Sequence, residues 1–301
     1  MASPSDVAVV FTTFHPAEPF VDVVRSLCAD FPVIVVDDGT DGISSTLDAV
    51  ESLGALVIRQ PENLGIAAAL NVGLHAAFSR GSQYAITFDQ DSTPRRDTVE
   101  VLRTAFSAPH DARRVAAVVP GHFADVKQSS GAGAYPDARR VIQSGMMLSA
   151  RSFEELGDFD ERLFIDLVDT EYELRIIALG RHIIAAPTRI GHELGRTLGL
   201  RPFGALPPTV TTMASTPFRY YYRARNRVLI TGRYFTALPA RTVRDLFVDL
   251  AYFALILASA RPRRAMAHVL ARGFRDGFRG RGGRMPEETA DRARTVSWST
   301  S

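Results

Sequence analysis

The stretch YAITFDQDSTP, Tyr84 to Pro94, runs apolar through Phe88 and then delivers two carboxylates one residue apart, Asp89 and Asp91. Its aromatic and β-branched residues read as a strand. A near-continuous apolar run is the mark of a strand covered on both faces, as in parallel sheets flanked by helices. In such sheets ligands sit beyond the C-terminal ends of the strands, so the acidic exit falls where a ligand would lie. Because residues i and i+2 of an extended chain share a side, the spacing predicts that Asp89 and Asp91 both face that crevice, with Gln90 turned away.

The flanking sequence supports the same architecture. VAVVFT, PVIVVDD, ALVIRQ and RVAAVVP read as further strands, and Pro19–Ala29, Gly42–Leu53, Gly65–Arg80 and Pro94–Phe106 between them have helical spacing. Repeated strand–helix units predict an α/β fold whose mostly parallel sheet carries helices on both faces. After Pro120 the pattern loosens. KQSSGAGAYPDARR reads as a loop or hairpin, VIQSGMMLS as a strand, the end of FDERLFIDLVDTEYELRIIALG as a helix closed at Gly180, and HIIAAP as a short strand before the loop GHELGR.

With 301 residues, 46% hydrophobic and 23% charged, the chain can bury one large core or two modest ones. A single cysteine, Cys28, excludes a disulfide framework and any multi-cysteine metal site. The N-terminus MASPSDVAVVFTTF has no basic leader before its apolar segment, which predicts a cytoplasmic protein. The formal charge of +2 conceals an asymmetry, since between Arg219 and Arg284 only Asp245, Asp249 and Asp276 are acidic. Leu246–Ala260 is apolar for fifteen residues apart from Asp249, short of the roughly twenty that cross a bilayer. With its flanking arginines it reads either as a helix lying on an anionic membrane surface or as one packed on the first domain. The sequence beyond Gly280 reads as a mobile tail.

Several chemistries lack their parts. The only lysine, Lys127, is not in a Walker A loop; GAGAYP neither follows a strand nor opens a helix; His192-Glu193 has no second histidine, and Ser144 has no GxSxG frame. Asp89-Gln90-Asp91-Ser92-Thr93 does fit the DxDx(T/V) pattern of haloacid dehalogenase-type phosphatases, although three strand–helix units precede it. An arginine-rich nucleic-acid-binding end, RYYYRARNR, is a second alternative. The remaining reading is a divalent cation that shares its shell with the phosphates of a nucleotide sugar. Other strand ends supply company: Phe14 to stack on a base, Asp37 and Asp38, and Asn63-Leu64-Gly65, whose N–H groups at a helix start favour a phosphate.

VVFTTFHP, VIVVDDGTDG, PENLGIAAALNVGL, FDQDSTP, QSGMMLS, FDERLFIDLVDTEYELR and GHE, in this order and spacing, resemble the GT-A glycosyltransferases of family 2. FDQDS, LFIDLVDTEYELR and RYYYRARN resemble most its bacterial rhamnosyltransferase branch, which builds cell-surface polysaccharides. The resemblance covers roughly residues 7 to 235 and implies a GT-A fold with a C-terminal helical region. The chain as a whole reads as a catalytic domain, 1–215, with its nucleotide-sugar half ending about residue 120; a basic helical region, 216–280, one reading of which is a membrane contact; and a tail, 281–301. The resemblance implies transfer, with inversion and with Mg²⁺ or Mn²⁺, of L-rhamnose from dTDP-β-L-rhamnose to a saccharide or lipid-linked saccharide, UDP-galactofuranose being an alternative donor and nucleic acid no partner. Carried over residue by residue, Thr12 and Phe14 would line the pyrimidine, Asp38 would accept from its ring N–H, and Asp89 would contact the ribose. Asn63 belongs to the donor site, Asp91 and His192 would hold the metal, and Asp169 would be the general base. Val168 replaces the glutamate of the family's Glu-Asp pair, which leaves Asp166 as an alternative alignment.

Overall fold

The computed structural model describes residues 6–42, 44–108, 114–192, 197–200, 210–213 and 215–298, with the backbone alone at 192, 197–200 and 210–213. The chain forms two compact units, one of Met1–Glu161 with Val168–Glu193, the other of Arg162–Leu167 with Leu194–Ser301.

The first unit begins as the sequence predicts: β1 (Val7–Thr13), α1 (Phe20–Cys28), β2 (Val33–Asp37), α2 (Ser45–Ser52), β3 (Leu56–Arg59), α3 (Ile66–Ser79) and β4 (Tyr84–Asp89). There follow β5 (Ser92–Thr93), α4 (Arg96–Ser107), β6 (Val115–Phe123), β7 (Val126–Lys127), β8 (Met146–Ser149), α5 (Ala150–Leu156), α6 (Val168–Ala178) and β9 (His182–His192). The strand order is β3-β2-β1-β4-β8-β6-β9-β5, with β7 beside β6. β1, β2, β3 and β4 are parallel, β8 runs against both β4 and β6, and β9 is parallel to β6.

Every residue of β1 is buried because both faces of the sheet are covered. Val9, Phe11 and Val35 share a core with Val24 and Leu27 of α1 and Val99, Leu102 and Phe106 of α4. Val10 and Val36 face the other way, towards α3. Gly73 gives them room, since a Cβ there would fall 2.3 Å from Val10 Cγ1. Each such aliphatic or aromatic side chain removed from water contributes about 1.5–3 kcal/mol before the entropy cost of ordering the chain. Winding starts at β1, moves outward to β3, then jumps back to β4 on β1's other side. A crevice opens at such a reversal, beyond the C-terminal ends of the two strands. Those ends are Thr13-Phe14 and Asp89-Gln90-Asp91.

The second unit contains β10 (Thr197–Leu200), β11 (Val210–Met213), α7 (Arg219–Tyr234), α8 (Pro239–Ser259), β12 (Ala260–Arg261), α9 (Arg263–Phe278), α10 (Glu287–Arg294) and β13 (Ser297–Trp298). Tyr220, Tyr221, Phe253, Ile256, Met266 and Val269 build its core, joined by Met285, Ala293 and Val296. The expected tail is therefore folded through Trp298: α10 packs, and β13 pairs with β12. Three buried apolar residues, Met285, Ala293 and Val296, spaced through a polar stretch anchor it, a signal that composition averages away.

One more expectation changes here. The tyrosines of α7, and its Arg225 and Arg227, point inward. Arg225 and Asn226 have no exposed surface, and Tyr220, Tyr221 and Tyr222 are buried, so none of the three rings is offered to a base. Arg223 and Arg227 pair with Asp249 of α8, which is 1% exposed. Arg225 donates to the carbonyls of Arg162 and Leu163, and Asn226 to those of Leu163, Ile165 and Asp166. Arg219 grips the Asp166 carboxylate with two nitrogens. This clamp holds a segment in which Phe164, Asp166 and Leu167 all have φ near +60°, a conformation that costs L residues energy and persists only where surroundings impose it.

Candidate active site

At the crevice the parallel register sets Thr12 beside Val36 on one flank and Asp89 on the other. Thr12 is 7% exposed and lies in the crevice floor, whereas Phe14, one residue past β1, is 42% exposed and offers its ring face. The backbone N–H of Phe14 donates to Gln90 Oε1 at 2.7 Å. Gln90 thus faces the end of β1 instead of turning away. β4 stops at Asp89 and the chain turns through Gln90 and Asp91, so the two-residue alternation ends where the strand does. Asp89 is braced from the sheet: its carboxylate accepts from Gln143 Nε2 and its N–H donates to Ser144 Oγ. Asp91 is the exposed member of the pair.

Gln143 and Ser144, 5% and 0% exposed, are site residues that sequence reading left without a role. The signal was present in QSGMMLS, where two polar residues precede an apolar strand. Ser144 Oγ also bonds Ser92 Oγ at 2.7 Å, and Gln143 O accepts from Thr87 Oγ1 at 2.7 Å, which locks the exit of β4 to the start of β8.

The end of β2 is a second rigid corner. Asp37 accepts from Thr40 N and Oγ1 and from Thr13 Oγ1. Gly39 follows with φ +77°, and a Cβ there would sit 2.3 Å from the Glu62 carbonyl carbon, so this turn packs directly on the next loop. Asp38 is 6% exposed, and its carboxylate accepts from Gln60 Nε2 and from the N–H groups of Leu64 and Gly65. The donors that the sequence assigned to a phosphate are therefore engaged by a protein carboxylate. Burial pushes the Asp38 carboxyl up to about 6, the Asp37 charge adds to the rise, and the two backbone N–H groups oppose it. Asn63 Oδ1 at the same turn is buried without a hydrogen-bond partner.

Asp169 lies in the first turn of α6, where the helix dipole favours a carboxylate. Its Oδ1 accepts from Thr170 N at 2.6 Å. The two other acidic residues of α6 are engaged elsewhere. Glu171 is paired with Arg175 at 2.6 Å, and Glu173, 1% exposed, accepts from Val141 N at 3.2 Å. Asp166, the alternative alignment, is bound to Arg219.

No group of three histidine, cysteine or acidic side chains converges to hold a cation among the described residues. A single exposed carboxylate such as Asp91 suits a cation that takes most of its shell from water and phosphate oxygens, as Mg²⁺ does. The strand pairing of Ser92 with His192 sets the backbone of His192 beside this exit, while its side chain lies outside the described residues.

A family model, Glycosyl transferase family 2, matches residues 8–149, which span β1 through β8 and hold the ends of β1, β2 and β4. Residues 8–149 are a glycosyl transferase family 2 domain. The chain is a glycosyltransferase, which displaces the phosphatase reading, while the buried rings of α7 speak against the nucleic-acid one. It is similar to the dTDP-rhamnosyl transferase RfbF of Shigella flexneri, 29% identical over 267 residues that cover 82% of this chain and 86% of RfbF. Among solved structures, S. aureus TarS aligns with a TM-score of 0.52 at 14% identity, over 91% of this chain and 55% of TarS. That likeness bears on the fold, which is the GT-A arrangement with a helical C-terminal region.

Proposed function

We propose that the domain transfers L-rhamnose from dTDP-β-L-rhamnose to a hydroxyl of a saccharide acceptor, free or lipid-linked, inverting the anomeric centre. The observation that carries the choice of sugar is the similarity to RfbF along most of both chains. The crevice supplies what a nucleotide sugar needs: the exposed Phe14 ring for a pyrimidine, a half-buried Asp89 braced for the ribose, and Asp91 at the mouth facing the diphosphate. Asp38 supports the same pocket by holding the Asn63–Gly65 turn.

In the reaction Asp169 takes the proton of the acceptor hydroxyl. The freed oxygen bonds to the anomeric carbon as the bond from that carbon to the diphosphate oxygen breaks, and the electron pair leaves on the diphosphate. Mg²⁺ or Mn²⁺ held by Asp91 and His192 would neutralise the charge that gathers there.

A donor panel tests this reading. In thermal-shift and transfer assays with each cation and with chelator, dTDP-rhamnose should protect and react best. A hundredfold excess over the dissociation constant adds about 2.7 kcal/mol of stability. Preference for UDP-galactofuranose would overturn the donor assignment, and full activity in chelator the metal.

A further inference from the structure

The exposed side of α8 is apolar along its length. Val243, Phe247, Val248 and Leu250 are 37%, 66%, 58% and 42% exposed, and Ala251 and Ala254 lie open beside them. At 100° per residue these six fall on one arc, shared with a single charged residue, Arg244. Thr242, Asp249, Phe253, Ile256 and Ser259 form the opposite, buried side. Two large neighbouring side chains, each more than half exposed, are unusual on a surface with no partner.

Charge selects the occupant. From Ser215 to Trp298 the sequence has 17 arginines against six acidic residues. Both acidic residues of α8 are withdrawn from its surface: Asp245 is paired with Arg241 and Arg244, and Asp249 is buried between Arg223 and Arg227. Just past the helix, Arg263 and Arg264 are exposed. A second copy would bring the same positive excess against this face. An anionic bilayer instead offers acyl chains to the phenylalanine and valines and phosphates to the arginines.

We infer that α8 lies in the interfacial plane of an anionic membrane, with Phe247, Val248 and Leu250 inserted and Arg244, Arg263 and Arg264 at the headgroups. No helix among the described residues is long and apolar enough to cross a membrane, so the contact is peripheral. The inference does not rest on the sugar donor, and its test reads lipid binding alone.

The test is sedimentation of the full chain with phosphatidylcholine vesicles with and without phosphatidylglycerol, at low and high salt. Binding should require the anionic lipid and weaken as salt rises. Phe247→Ser should reduce vesicle affinity about tenfold, and Arg263→Ala with Arg264→Ala should flatten the salt dependence. Neither the Phe247→Ser variant nor the double arginine variant should alter transfer to a water-soluble acceptor. Equal binding by the wild type and Phe247→Ser, no binding to anionic vesicles at low salt, or a dimer that Phe247→Ser converts to monomer would overturn the assignment.

Discussion

Asn226 is the residue on which the clamp over residues 162–167 can be measured. Its Nδ2 lies 2.9, 2.9 and 2.7 Å from the carbonyl oxygens of Leu163, Ile165 and Asp166. Its Oδ1 accepts from Arg225 Nε at 3.0 Å. An amide nitrogen has two hydrogens, so the three carbonyls share two donors. Asn226→Ala removes both and leaves buried acceptors facing a small void, at about 1–3 kcal/mol for each lost bond. Relaxation of Phe164, Asp166 and Leu167 out of positive φ returns part of that, because each was held there at a cost of order 1 kcal/mol. The net loss should be about 3 kcal/mol. Asn226→Asp should lose more, since it turns the donor into a carboxylate facing the same carbonyls. Urea unfolding of the full chain measures the difference, and amide exchange at residues 162–167 should rise in both variants. A loss below about 0.5 kcal/mol for the alanine variant, or an aspartate variant as stable as the alanine one, would refute the reasoning.

Two further outcomes follow from the first unit. Asp169→Asn should lower turnover by a factor on the order of 10² to 10⁴ while nucleotide binding by calorimetry stays near wild type; unchanged turnover removes Asp169 as the base. Asp38 has its carboxyl raised from 3.8 to about 6 in the folded state. Its contribution to stability is therefore complete below pH 4 and is lost as pH rises through 6. Relative to Asp38→Asn, the wild type should gain on the order of 2 kcal/mol in urea unfolding between about pH 6.5 and 4. A difference between the two that does not move with pH would show that the carboxyl titrates normally.

The α/β class and the strands from β1 to β6 follow from the sequence alone, because their signal is local. Runs such as VAVVF and VIVV are apolar at every position, and in a chain that alternates strands with helices only a sheet covered on both faces accommodates them. The crevice residues Phe14, Asp38, Asp89 and Asp91 were legible for the same reason: they stand at strand ends, and strand ends of parallel sheets meet ligands. Partners distant in sequence were not legible. Nothing near Asp38 indicates that its carboxylate closes on the N–H groups 26 and 27 residues later, nor near Asp89 that Gln143, 54 residues on, braces it. The same holds for α7, where arginine and tyrosine read as surface until Asp249, Asp276 and the carbonyls of residues 162–166 supply them with buried partners. Composition fixes what a residue can do, but a polar group is buried only when another part of the chain arrives to satisfy it. That arrival belongs to the tertiary structure.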